Sequence, residues 1–181
     1  MSFWNKFFGK PAANSHHGAG PSGEIPSPAG GSRGVDDDDR LLEAEPIARK
    51  RMDLLWLDPP RLAQVQQAVG QHGAVTVTMG DSSSLRDHSI DKEDVDWARQ
   101  IEQMVDRAFA AGKRGHYEDA IRHYKQALGL APGCDLFLMS VGASYAQLHK
   151  KAQAVRYLQR AAQISPGNAR IRENLNQAKR M

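Results

Sequence analysis

Seven histidines and a single cysteine, Cys134, are the side chains in this 181-residue chain best suited to ligating a metal or attacking an electrophile. A protein zinc site needs several converging thiolates, imidazoles or carboxylates. One cysteine excludes a multi-thiolate site and any intramolecular disulfide, and it suits a reducing compartment. His16 and His17 are adjacent in a stretch of small residues, without carboxylate or thiolate company. His72, His88, His116, His123 and His149 fall at no metal-ligand spacing, and His116 and His123 lie seven apart where a helix-borne pair favours about four. No glycine-rich phosphate loop follows a strand, and Cys134 sits in the turn after Pro132 with no partner base in view. The sequence therefore predicts no catalytic residue, no metal, no cofactor and no small-molecule substrate.

What remains is a chain built to position surfaces. Hydrophobic residues make up 40%, and most of the 16 glycines and nine prolines precede residue 90, so the core is expected in the second half. The net charge of +3 conceals an asymmetry: residues 1–34 carry +2, residues 35–100 carry −6 and residues 101–181 carry +7. Such a split fits an anionic partner, contact between the two oppositely charged parts, or solvation of outer helix faces. No run approaches the roughly 18 apolar residues of a membrane span, and the start of the chain lacks a secretory signal pattern. A cytoplasmic protein is expected.

Residues 1–10 read as a short amphipathic element, with Phe3, Trp4, Phe7 and Phe8 on one face and Lys6 and Lys10 at its edge. Aromatic rings and lysines suit weak contact with an anionic membrane surface, at its inner face, or docking on a protein groove. Residues 11–45, rich in Gly, Pro, Ser and Ala and carrying the run Asp36 to Asp39, read as a flexible linker. Residues 46–79 form an island: Asp58 can cap a helix with Pro59 in its first turn, Leu62, Val65 and Val69 keep helical spacing, and Ala74 to Met79 alternates as a short strand without an obvious partner. The island is either a docking motif or a piece folded on the helical part. Residues 80–90, with three consecutive serines, read as a second linker, and residues 91–181 as a helical domain.

Within the helical part, Ala120 recurs as Ala154, Ala127 as Ala161, Tyr124 as Leu158, and Pro132-Gly133 as Pro166-Gly167, a 34-residue offset. Small residues at Ala108, Ala120, Gly142 and Ala154 let paired helices approach, while Pro132 and Pro166 end helices. Asn168 can cap a last helix whose Ile171, Leu175 and Ala178 cover the end of the stack.

Taking 101–134 and 135–168 as repeats, the second resembles the tetratricopeptide-repeat (TPR) pattern at Leu138, Val141, Gly142, Tyr145, Ala154, Leu158, Ala161 and Pro166. The first is similar at Met104, Ala108, Ala120, Tyr124, Ala127 and Pro132, and departs at Arg107 and Ala111. The resemblance, which covers residues 101–181, implies an all-α fold: a short TPR solenoid of two repeats plus a capping helix, behind a largely disordered N-terminal half. Two repeats fall below the roughly three that usually suffice alone, so flanking elements are expected to be structural.

The resemblance also implies a function. In TPR proteins the first helix of each repeat lines a groove for a partner's peptide or helix, which here selects Val105, Asp106, Phe109, Leu136, Met139, Ser140, Ala143 and Gln147, with Arg170, Glu173 and Asn174 from the last helix. The groove is mostly apolar, and Val105 and Phe109 stand where carboxylate-binding TPR domains carry lysines and asparagines. The expected function is a non-catalytic adaptor or scaffold binding another protein through an apolar segment or amphipathic helix. A small TPR chaperone of a secretion-type system is the first alternative. Nucleic-acid binding by the basic half ranks last, because its aromatic residues mostly occupy packing positions.

Overall fold

The computed structural model describes residues 33–81 and 84–181. The aromatic segment Phe3, Trp4, Phe7 and Phe8 lies outside the described residues, as do His16 and His17. Among the described residues the chain is mostly helical, in the order α1 (Arg33–Glu43), α2 (Arg49–Leu55), α3 (Pro59–His72), β1 (Ala74–Asp81), β2 (Ser84–Asp91), α4 (Lys92–Lys113), α5 (Tyr117–Leu130), α6 (Asp135–Gln147), α7 (Lys151–Ile164) and α8 (Ala169–Arg180). None of these helices is long and apolar enough to cross a membrane.

Two stretches expected to be linkers are structured. Ser84–Asp91 pairs antiparallel with Ala74–Asp81, matching Val75 with Ile90 and Val77 with His88, so the all-α expectation is corrected by one β-hairpin. The pairing gives the strand of the island its missing partner: Met79 and Ile90 are buried, while the opposed pairs Thr76–Ser89 and Thr78–Asp87 face outward with the period of two of a half-covered sheet. The other is Arg33–Glu43, a helix inside the expected 11–45 linker. It holds four consecutive aspartates, weak helix formers, and at 11 residues it is too short to be stable in water alone. Its support is tertiary.

The island folds on the helices. The Asp58 side chain accepts a hydrogen bond from Arg61 N at 2.9 Å and caps α3. Leu54, Leu57, Val65, Val69, Met79 and Ile90 then join one continuous core with Val95, Ile101 and the helices beyond. Polar contacts hold α2 in place. Asp53 pairs with Arg49 Nε at 2.8 Å within the helix and lies 3.2 Å from His88 Nε2 of β2, and Asp94 of α4 pairs with Lys50 Nζ at 2.5 Å and Arg51 Nε at 3.2 Å. Burial alone would raise the Asp94 carboxyl, but hydrogen bonds from Lys50, Arg51 and the Asp91 backbone outweigh it and hold the group below the usual carboxylate range. The same Asp94 closes a capping box with Asp91, starting the long helix α4 where the sequence predicts it. Trp97 of α4 donates Nε1–H to Leu130 O at 3.0 Å, and the Arg51 guanidinium lies 5.2 Å from its ring, so island, α4 and α5 are tied at one point.

From α4 onward each helix packs on its successor, and α6 also meets α8. α6 and α7 come close at Gly142: a Cβ there would lie 2.7 Å from Leu158 Cγ and 3.2 Å from Ala154 O. Ala120 and Ala154 are fully buried. Asn168 caps α8 by accepting from Arg170 N and Ile171 N at 3.1 and 3.4 Å, and Ile171 and Ala178 bury the end of the stack.

Candidate partner-binding surfaces

A cavity of about 310 Å³ lies between α4 and α6, backed by Ala120 and Tyr124 of α5. Four residues selected from the sequence, Phe109, Ser140, Ala143 and Gln147, line it together. The other seven do not. Val105, Leu136 and Met139 are 1%, 2% and 5% exposed, so they belong to the core and are corrected as groove residues. The reason lies in α6, where Leu136, Phe137, Leu138, Met139 and Val141 are all buried. It packs on α5, α7 and α8, and a helix covered on several sides is apolar nearly all round, leaving a narrow open stripe. Asp106 is exposed, while Arg170 and Asn174 are half-buried on α8 and do not line this cavity. Glu173 lines a separate shallow hollow on α8.

The sequence reading missed Gly112, Lys113 and Tyr117, which complete the wall. The Lys113 ammonium lies 5.0 Å from the Phe109 ring, an amphipathic lip whose stem can cover apolar surface. The hydroxyls of Ser140 and Ser144 donate back to Leu136 O and Ser140 O, both at 2.8 Å. Burial pushes the Tyr124 phenol up to about 12, against a smaller lowering by its hydrogen bond with Ser140, so it stays neutral. The floor of the groove thus offers neutral surface and suits apolar side chains.

The histidines and the cysteine are dispersed among the described residues. His88 is paired with Asp53, and His123 Nδ1 is 3.1 Å from Gln126 Oε1. No group of three or more His, Cys, Asp or Glu side chains there could hold a metal ion. Cys134 is 3% exposed, and burial pushes its thiol up to about 12 with help from the Asp135 charge, against lowering by the Phe137 and Leu136 backbone.

A second surface lies on α5 and α7, where α1 is seated. Asp38 is 7% exposed. Its Oδ1 accepts from the Tyr157 hydroxyl at 2.7 Å and pairs with the Lys125 ammonium. Lys125 Nζ in turn lies 5.3 Å from the Tyr145 ring and 5.8 Å from the Tyr157 ring. Asp39 pairs with Arg156, and Arg160 donates to Ala44 O at 3.3 Å. Beyond α1 the chain is anchored by Ile47 N donating to Pro132 O at 3.0 Å. Pro46 lies so close to Gly133 that a Cβ there would be 2.7 Å from Pro46 Cα, at a φ of +74° that also favours glycine. Of the sequence-level readings of the charge asymmetry, contact between the acidic and basic parts is realised here. No protein-family model matches the chain, and no curated protein matches it in sequence.

Proposed function

We propose that this chain is a non-catalytic adaptor built on the TPR plan, which binds an apolar segment or amphipathic helix of another protein in the groove between α4 and α6. The observation that carries the reading is the convergence of Phe109, Ser140, Ala143 and Gln147 on one cavity, because residues chosen by repeat position alone need not share a surface. The TPR plan itself is supported by the close α6–α7 approach at Gly142 and by the buried alanines at corresponding repeat positions. A partner helix would lay apolar side chains at helical spacing against the Phe109 ring and Ala143, with Lys113 at the rim.

The test uses open positions, since a charge at buried Met139 would unfold the protein and report nothing. Ala143→Glu with Gln147→Glu should abolish capture of partner proteins from the native cell at unchanged helicity and melting temperature. An unchanged partner list in that folded variant contradicts the groove reading.

A further inference from the structure

The seat of α1 has the chemistry of a receptor. Lys125 is held against two tyrosine rings, with Tyr157 presenting its hydroxyl from a residue that is 1% exposed. Together they form a cradle for one carboxylate, which Asp38 fills. Arg156 and Arg160 extend the cationic surface toward Asp39 and the Ala44 carbonyl. Burial alone would lower the Lys125 ammonium, yet its hydrogen bond with Asp38, aided by Tyr145, outweighs that and raises it, so the cradle is charged whenever it is occupied.

The helix that fills the seat fits it incompletely. A cavity of about 690 Å³ remains between α1 and α5, walled by Leu41, Ile121, Leu128 and Pro132. Leu41 and Leu42 are only half-buried. The hold on α1 therefore rests largely on the carboxylate contacts, while apolar space beside them stays unfilled. A segment with the same acid and a larger apolar side chain one turn away would bury more surface here. Because α1 is too short and too aspartate-rich to be helical by itself, losing these contacts also melts it. The anchor at Ile47 and Pro46 would keep the released segment tethered beside its seat.

We propose that the α5/α7 face is a recognition site for an acidic helical segment of a partner protein, and that α1 is its built-in competitor. The partner displaces α1 by presenting a carboxylate to Lys125 and Tyr157 and an apolar side chain to the space between Leu128 and Pro132. This site is separate from the α4/α6 groove and does not depend on it.

The probe is a synthetic peptide of residues 33–48, titrated into the isotope-labelled full chain while backbone amide signals are followed. Asp38→Lys with Asp39→Lys opens the seat by placing like charges against Lys125 and Arg156, and Asp38→Asn is the milder version should the double variant lose its fold. The peptide should shift α5 and α7 signals saturably in the opened chain. It should bind about tenfold or more weakly to the wild-type chain, where α1 leaves the site free only part of the time. A peptide carrying Asp38→Asn should bind more weakly, and Lys125→Glu in the opened chain should abolish binding. Two results would overturn the proposal. One is an opened, folded chain that shows no saturable shifts on α5 and α7. The other is a single-stranded oligonucleotide saturating that face while the peptide does not.

Discussion

Two glycine-to-alanine substitutions should change stability in opposite directions, and the difference measures how closely α6 and α7 pack. In a helix interior this change is intrinsically favourable by about 0.5–1 kcal/mol. At Gly129, exposed in the last turn of α5, an added Cβ meets nothing within 4 Å, so Gly129→Ala should stabilise by about that amount or less. At Gly142 the added Cβ would lie 2.7 Å from Leu158 Cγ. Leu158 is fully buried, and its Cγ is a branch point near the backbone, so it cannot swing aside without moving the whole side chain. Ala154 O, at 3.2 Å, is backbone and cannot yield at all without shifting α7. Overpacking of this kind costs roughly 1–3 kcal/mol. The propensity terms largely cancel between the variants, so Gly142→Ala should be less stable than Gly129→Ala by about 1–3 kcal/mol. Urea denaturation followed by far-UV circular dichroism resolves this, because a 2 kcal/mol gap moves the midpoint by about 1 M at a slope near 2 kcal/mol/M. If Gly142→Ala proves as stable as Gly129→Ala, the helices of this hairpin do not approach as described and the repeat frame is wrong.

Other outcomes follow from the buried ionisable groups. Asp94, held below the usual carboxylate range, stabilises the folded chain fully above the unfolded carboxylate value near pH 4. That contribution is lost as pH falls through its lower folded value. Asp94→Asn should therefore flatten the acid limb of a stability-against-pH curve and cost about 1–3 kcal/mol at neutral pH, since Lys50 and Arg51 are partly exposed and can rehydrate. An acid limb identical to that of the wild type would remove Asp94 from this role. Cys134, buried with its thiol pushed up to about 12, should react with an aromatic disulfide reagent at pH 8 only as fast as the chain opens, and denaturant should restore the rate of a free thiol. Rapid stoichiometric labelling of the folded protein would refute its burial.

The elements with strong local signals were legible in the sequence, and those completed by distant partners were not. Asp58 and Asn168 cap as their positions predict, α4 begins at the Asp91 capping box, and the turns follow Pro132 and Pro166. The strand β2 was hidden because its inward face is short on apolar residues: Ile90 is buried, but the next inward position is His88, held there by a hydrogen bond with Asp53 from 35 residues away. The helix α1 was hidden for a related reason, since its stability comes from Lys125, Arg156 and Tyr157 rather than from propensity. The charge asymmetry was the available signal, and it pointed to contact without saying where. For the groove, repeat position identified which helices line it, but not that α6 is enclosed on enough sides to bury Leu136 and Met139.

Occupancy of the α4/α6 groove by a partner protein is tested most directly by contact. A photo-reactive amino acid placed at Ala143, in the groove wall, and another at Gln67, exposed on α3 and outside both candidate surfaces, would be irradiated in the native cell with the full chain. A discrete heterologous crosslink is expected from position 143, absent from position 67, and lost when Gln147→Glu is added. Crosslinks of equal yield from both positions, or from 67 alone, would contradict occupancy of the groove.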